Sequence, residues 1–218
     1  MMIRRRDFLG PWLPALFIAA LVAAGLQPGP ARADEIGADE FGAGAKKFIE
    51  MLTSDAISML TVENISKTER ADRFRRLMNK NFAIKGIAKF VLGRQWRKAT
   101  DAEKKEYLQL FEDLLVATYA DRFAKYSGEK LMVNKSEVRG KGDALVHTIM
   151  IRVDGAKPLK VAWRVRGKNG IYKIVDIMVE GISMVVTQKS EFASFIKQNG
   201  GSIGALLSEL RKRIQANI

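Results

Sequence analysis

Two carboxylates, Asp176 and Glu180, stand four residues apart in a stretch whose hydrophobicity alternates. Paired carboxylates are common groups for general acid and base catalysis. On an extended strand their Cα atoms would lie roughly 13 Å apart, whereas a retaining glycosidase needs its two carboxyl groups about 5 Å apart. The spacing therefore disfavours catalysis. It predicts structural ion pairs with basic residues of the preceding strand: Lys160, Arg164 and Arg166.

His147 is the only histidine and the chain has no cysteine, which restricts the chemistry further. Zinc sites are built from several His or Cys ligands, and neither a cysteine nucleophile nor a disulfide is available. No G-x-S-x-G elbow presents a serine, and neither the G-x-x-x-x-G-K-[ST] nor the G-x-G-x-x-G phosphate loop occurs. His147 lies between apolar residues in mid-strand, which favours a packing role. We therefore predict no catalytic residue, no metal and no cofactor.

The segments before and after these residues have the period of helices. Apolar residues recur every three or four positions from Phe41 to Leu60 and beyond. Two sequences typical of capping boxes, starting at Ser66 and Thr100, predict helix starts, the second of them for the longest helix. Helical periodicity returns after Gly181 and continues towards the C-terminus.

Between the helices the period is two, which predicts four strands near residues 130–138, 143–153, 159–166 and 171–180. Asn169-Gly170 is a strong hairpin signal. In the fourth strand one face would carry Ile171, Val175, Ile177 and Val179. The other face would carry Tyr172, Ile174, Asp176, Met178 and Glu180. Helices segregated from an antiparallel meander predict an α+β fold with a four-stranded curved antiparallel sheet packed against helices.

Residues 1–33 have the composition of a secretory signal peptide, with an arginine-rich start, an uncharged run over residues 8–30 and a small-x-small end. The apolar centre is shorter than the ~20 residues that span a bilayer. We predict cleavage after Ala33 and one α+β domain over residues 34–218. Residues 5–9, R-R-D-F-L, resemble the twin-arginine export motif, so twin-arginine export and the ordinary secretory route both stay open.

The chain has a formal net charge of +13, of which about +10 remains once residues 1–33, with four Arg and one Asp, are removed. A cationic exported protein suits anionic lipid head groups, an acidic protein or nucleic acid. Export from the cytoplasm disfavours nucleic acid as a partner, and the basic residues are scattered without a long block. We therefore predict no nucleic-acid partner.

Aromatic residues are concentrated on two helical stripes that would face the sheet: Phe111, Tyr119, Phe123 and Tyr126, then Phe192 and Phe195. Most of them must serve as core. A small curved sheet cannot cover all of this apolar surface, however, and the surplus favours an apolar pocket between the sheet and the helices.

Three segments resemble the MlaC-type periplasmic phospholipid-binding proteins, also called the toluene-tolerance family. The first is F-V-L-G-R-Q-W-R-K-A-T at residues 90–100. The second is F-E-D-L-L-V-A-T-Y-A at residues 111–120, followed by Y-S-G-E at 126–129. The third is Y-K-I-V-D-I-M-V-E-G-I-S at residues 172–183. The likeness covers roughly residues 45 to 210.

The resemblance implies an NTF2-like outline and a role as a lipid carrier. Such proteins move phospholipid between an outer-membrane lipoprotein complex and an inner-membrane ABC transporter with an MCE-domain subunit, which maintains outer-membrane lipid asymmetry. The acyl chains would sit between the sheet and the helices, with the phospholipid as cargo and no cofactor. The protein would not be an enzyme and would work in the periplasm.

The two apolar layers supply the hypothesis for the pocket wall. From the helices and adjoining segments we name Phe90, Val91, Trp96, Phe111, Leu115, Tyr119, Phe123, Ile182, Val185 and Phe192. From the sheet we name Val146, Ile149, Ile151, Val161, Trp163, Val165, Val175, Ile177 and Val179. This list includes residues from both faces of the sheet, because the sequence leaves open which face lines the pocket.

Two alternatives remain open at this point. One is a carrier for a hopanoid or another polycyclic lipid, since some relatives are encoded with hopanoid genes. The other is a small exported enzyme on an NTF2-like cone, with Asp176 or His147 as its base. The enzyme needs a polar group at the floor of the pocket, whereas the carrier needs only apolar walls.

Overall fold

A computed structural model describes residues 31–217, with side chains from residue 37 onward except that of residue 38. The predicted signal peptide therefore lies outside the described residues, apart from the backbone of its last three. The helices are α1 (Ala31–Leu60), α2 (Lys67–Asn81), α3 (Ile84–Leu92), α4 (Asp101–Tyr119), α5 (Met184–Gln198) and α6 (Ile203–Ala216). Short 3₁₀ segments, Gly93–Arg97 and Ala120–Lys125, follow α3 and α4. None of the described helices is long and apolar enough to cross a membrane.

The strands form one antiparallel meander in which each strand pairs with the next along the chain. They are β1 (Lys130–Gly140), β2 (Asp143–Ile151), β3 (Leu159–Lys168), β4 (Ile171–Val179) and β5 (Ile182–Ser183). The predicted α+β class and the antiparallel sheet against helices are confirmed.

The predicted number of strands was four, and the structure has five. Glu180 and Gly181 both have positive φ, 50° and 81°, and form a two-residue turn after β4. This turn folds Ile182 and Ser183 back onto β4 before α5 begins. Two consecutive left-handed residues suit a tight hairpin. The helix predicted to follow Gly181 therefore begins only at Met184, after β5.

The predicted division of β4 into two faces is wrong in its first half, because the strand contains a β-bulge. Asp176 pairs with Arg164 and Ile174 pairs with Val165, so Val175 has no partner on β3. One extra residue inverts the alternation that precedes it. As a result Ile174 is fully buried on the helix-facing side, and Ile171 is 67% exposed.

The apolar residues form two cores. The sheet-side core lies between α1 and the sheet and contains Ile49, Val146, Val165 and Ile174, all fully buried. The helix-side core is built by α3, α4, α5 and α6 around Tyr107, Phe111, Phe192, Leu206 and Leu210. Helix α1 packs along β1 and β2, while α4 packs chiefly on α6, α2 and α3.

Candidate apolar binding site

The helix-facing side of the sheet is set by the register of β2, β3 and β4. Val146, Trp163 and Ile177 stand opposite one another across the three strands, and Val161 pairs with Val179. Directly paired residues point to the same face of a sheet. The structure therefore brings five of the predicted wall residues together on the side covered by helices, and Val165, beside the bulge, joins them.

Ile149 and Ile151 lie on the opposite side of the sheet. They pair with Lys160 and Lys130 respectively, in the alternate positions of the ladder. Val175 is the unpaired residue of the bulge. These three predicted wall residues are therefore not brought to the helix-facing surface by the register.

Several predicted wall residues on the helices are sealed inside the helix-side core. Val91, Phe111 and Phe192 are at most 2% exposed. The Phe111 and Phe192 rings meet edge to face at 6.5 Å, and each ring also contacts Tyr107. The Tyr107 hydroxyl donates to the carbonyl of Ala88 at 3.0 Å, and burial raises its pKa. This cluster ties α4 to α3 and α5.

A set of half-buried apolar residues lies where the two cores meet, and we call it the seam. Phe74 and Phe82 pack against both cores. We include in the seam other half-buried apolar residues that pack against one core each: Phe123, Trp163 and Ile177 against the sheet-side core, Leu115 and Val185 against the helix-side core. The seam thus combines apolar side chains of the sheet and of the helices, each of them partly exposed to solvent.

The one polar group that faces the seam from β2 is satisfied within the protein. Thr148 is 2% exposed, and its hydroxyl donates to the carbonyl of Val161 at 2.9 Å. The same hydroxyl accepts a hydrogen bond from Nε1 of Trp163 at 3.1 Å. A buried indole N–H needs such a partner, so Thr148 fixes the orientation of the Trp163 ring.

The remaining predicted wall residues are at the protein surface or near it. Phe90, Tyr119 and Ile182 are 49%, 41% and 60% exposed. Nζ of Lys189 lies 4.2 Å from the centroid of the Phe90 ring. Trp96 is half-buried under two lysines, of which Lys89 is nearer at 5.1 Å.

The outer face of the sheet carries the ionisable groups. Burial opposes ionisation of Asp143, but hydrogen bonds from Arg164 and Arg166 outweigh it and lower its pKa. The two arginines thus form their ion pairs with Asp143, which stands opposite Arg166 across β2 and β3. Of the predicted pairs with Asp176 or Glu180, the structure has Arg164 opposite Asp176 across β3 and β4 in an electrostatic interaction that helps to raise the arginine pKa. Glu180 instead accepts from the backbone N–H of Lys160 at 2.7 Å.

His147 also points outward, where Nε2 lies 3.3 Å from Oε2 of Glu137. A hydrogen bond from Lys135, followed by the contact with His147, lowers the pKa of Glu137 to about 2. Lys135 and His147 border a recess of about 490 Å³ whose floor includes Leu145 and Ile149. That recess has a single wall, the sheet, whereas acyl chains need apolar surface on all sides. The described residues contain no group of three or more acidic or histidine side chains placed to hold a metal ion.

Three residues of this site, Phe74, Phe82 and Thr148, are not among the predicted wall residues. Phe74 and Phe82 were visible as part of an apolar helical pattern, but only the topology makes them common to both cores. Thr148 gave no signal, because an isolated threonine in a strand is ordinary.

The comparisons with known proteins agree on one family. The family model described as MlaC protein matches residues 50–212, about three quarters of the chain. A curated relative from Haemophilus influenzae, named intermembrane phospholipid transport system binding protein MlaC, is 21% identical over 125 residues. That match covers 56% of this chain and only 58% of the relative's length.

A solved structure has the same fold. It is the phospholipid-binding protein from Ralstonia solanacearum, determined in complex with a phospholipid. It superposes with a TM-score of 0.70 at 20% identity and covers 79% of this chain and 98% of that one. At this level of identity the likeness establishes the fold.

Proposed function

This chain belongs to the MlaC family, and we propose that it is a periplasmic carrier that takes up a phospholipid by its acyl chains. The observation that carries the proposal is the seam, where Phe74 and Phe82 pack against both cores and half-buried apolar residues of the sheet and of the helices pack against one core each. The names of the relatives point the same way, since one is a phospholipid transport binding protein and another was solved with a phospholipid.

The energetics explain why such a carrier needs two apolar walls. Burial of one CH₂ group is worth about 0.8 kcal/mol, so a lipid with roughly 30 of them gains up to ~24 kcal/mol in a membrane. A protein that removes the lipid must bury nearly the same surface. Separation of the two cores at Phe74 and Phe82 would expose apolar side chains on both sides and provide that surface.

We further propose the partners and the place of work. The carrier would exchange phospholipid between an outer-membrane lipoprotein complex and the MCE-domain subunit of an inner-membrane ABC transporter, and so maintain outer-membrane lipid asymmetry. It would be exported with residues 1–33 as a signal that is cleaved after Ala33. No catalytic residue is assigned.

Native mass spectrometry of the purified protein tests the proposal. We expect a mass increase of one phospholipid, and uptake of labelled phospholipid from vesicles by protein that has been stripped of lipid. Absence of bound lipid together with absence of uptake would overturn it. Recovery of a polycyclic lipid, with no phospholipid, would favour the hopanoid alternative.

A further inference from the structure

A second recess lies between the end of α3, the 3₁₀ segment Gly93–Arg97 and α5. Its volume is about 490 Å³, within the range of small-ligand sites. Four of its lining residues are cations: Arg94, Lys98, Lys189 and Lys197. No aspartate or glutamate lines it. We call it the basic recess.

The four cations are not neutralised by the part of the chain that the structure describes. None of them has a carboxylate within ion-pair distance there, in contrast to Arg75, which contacts Glu112 and Asp113, and to Arg213, which contacts Glu191 and Glu209. Like charges gathered without counter-charges repel one another. Their arrangement around one recess therefore favours an external anion.

The sequence around the recess is itself one-sided in charge. Between Asp72 and Asp101 the chain contains nine Lys and Arg and no acidic residue. The even scatter expected of the basic residues does not hold in this segment.

Helix ends explain part of this charge but not all of it. Both α3 and α5 end at the recess, and lysines in a last turn, such as Lys89 and Lys197, complement the helix dipole. A helix C-terminus carries only about half a negative charge. Two such ends leave most of the four positive charges of the recess uncompensated.

An exposed aromatic ring stands beside the cations. Phe90 is 49% exposed and lies against the ammonium of Lys189. Gly93, at φ 59°, lets Lys189 approach closely, because a Cβ at that position would be 3.2 Å from Cε of the lysine. Nearby, Trp96 is half-buried below Lys89. Aromatic and basic side chains together are typical of surfaces that meet a membrane interface.

We propose that the basic recess binds the phosphate of an anionic phospholipid at a membrane surface, with Phe90 in contact with the head-group region. This inference rests on the proposed carrier function and adds a membrane-docking site separate from the seam. Phosphate is the favoured anion because several separate lysines around an arginine can each contact one of its oxygens. An acidic protein would satisfy the charges but would not account for a recess of head-group size beside an exposed ring.

The experiment is flotation of the full chain with vesicles of phosphatidylcholine alone or mixed with phosphatidylglycerol. We expect salt-sensitive binding to the mixed vesicles only. In the double variant Lys98→Gln/Lys197→Gln, binding should weaken by about 25-fold, since each cation near an anionic surface is worth about a fivefold change in affinity. The matched control is Lys141→Gln/Lys168→Gln, with Lys141 in the turn between β1 and β2 and Lys168 at the end of β3. This variant removes the same charge and should weaken binding less than about threefold.

Equal weakening in the two double variants would overturn the proposal, since it would show that net charge alone attracts the protein. Absence of binding to mixed vesicles by the native chain would overturn it as well. Inorganic phosphate and polyglutamate are added as competitors. If the recess variant loses affinity for either of these while its vesicle binding is unchanged, the recess serves free phosphate or an acidic protein instead. Lipid bound per protein, measured on the same variants by native mass spectrometry, should stay unchanged, which separates this inference from the carrier function.

Discussion

The carboxylate of Asp176 on β4 accepts a hydrogen bond from the hydroxyl of Ser183 at 2.6 Å, across the turn that leads into α5. It also accepts from the backbone N–H of Val185 at 3.2 Å, in the first turn of that helix. The Ser183 hydroxyl in turn accepts from the N–H of Val186. A negative charge at a helix N-terminus is stabilising. Asp176 therefore fixes the corner between sheet and helix.

Replacement of Asp176 by alanine should lower the free energy of unfolding by about 1–2 kcal/mol, because the hydrogen bonds that its carboxylate accepts from Ser183 and Val185 are lost. Urea denaturation followed by circular dichroism measures the change. Asp72→Ala, at an exposed position of α2, is the control and should shift stability by less than about 0.5 kcal/mol. Equal effects of the two substitutions would remove the anchoring role.

Replacement of Gly44 on α1 by alanine should lower the stability of the folded protein. Tyr172 packs between Phe41 and Phe48 at 5.2 and 5.8 Å, and a Cβ at Gly44 would lie 2.0 Å from the Tyr172 hydroxyl oxygen. Overpacking of this kind costs about 1–3 kcal/mol.

The control for this substitution lies on the same helix. Gly37 has no atom within 4 Å of the added Cβ, so Gly37→Ala should stabilise by about 0.5–1 kcal/mol through helix propensity. Tyr172→Phe removes the hydroxyl oxygen, which is the nearest clashing atom. Adding it to Gly44→Ala should therefore restore part of the lost stability, as measured by thermal unfolding. Stabilisation by Gly44→Ala would contradict the packing.

A charge placed in the seam should prevent lipid loading. Ile177→Asp puts a carboxylate on the sheet wall, where desolvation against acyl chains is costly, and bound phospholipid per folded protein should fall more than about tenfold by native mass spectrometry. Ile171→Asp on the same strand, at a position 67% exposed, is the control and should retain its lipid. If Ile177→Asp does not fold, Leu115→Gln on the helix side of the seam repeats the test. Normal loading of both seam variants would exclude the seam as the site.

Glu137 should contribute to acid sensitivity. Hydrogen bonding from Lys135 and contact with His147 favour its ionised form, so its pKa falls from 4.5 to about 2 in the folded protein. The resulting stabilisation is complete above pH 4.5 and is lost as the pH falls towards 2.

Glu137→Gln should therefore make stability less dependent on pH between 4.5 and 2, as measured by urea midpoints at several pH values. Glu50→Gln, an exposed position on α1, serves as the control. A native-like pH slope in the Glu137→Gln variant would show that this carboxylate does not set the acid response.

Local signals in the sequence predicted local structure well. Thr100 and Glu103 form the full capping box, and Asn169 and Gly170 have the positive φ values, 53° and 75°, that their turn demands. At Ser66 only half of the predicted box forms. Its hydroxyl accepts from the N–H of Glu69, but the Glu69 carboxylate is held by Arg73.

Features that depend on distant partners were beyond the sequence. The bulge at Val175 leaves no mark in composition, so the faces of β4 were misassigned around it. The predicted wall list contained Val146, Trp163 and Ile177 from the helix-facing side of the sheet together with Ile149 and Ile151 from the other face, because alternation alone does not say which side meets the helices. The shared position of Phe74 and Phe82 required the relative placement of two cores.

The packing of Tyr172 against α1 has a consequence for the order of folding. Phe41 and Phe48 are made early in synthesis, but the ring that separates them belongs to β4, more than half of the chain later. Contacts so distant in sequence form slowly because a long loop must close first. The β-hairpins should thus assemble before α1 docks. Until then the apolar face of α1 is exposed to solvent and makes the folding chain prone to aggregate.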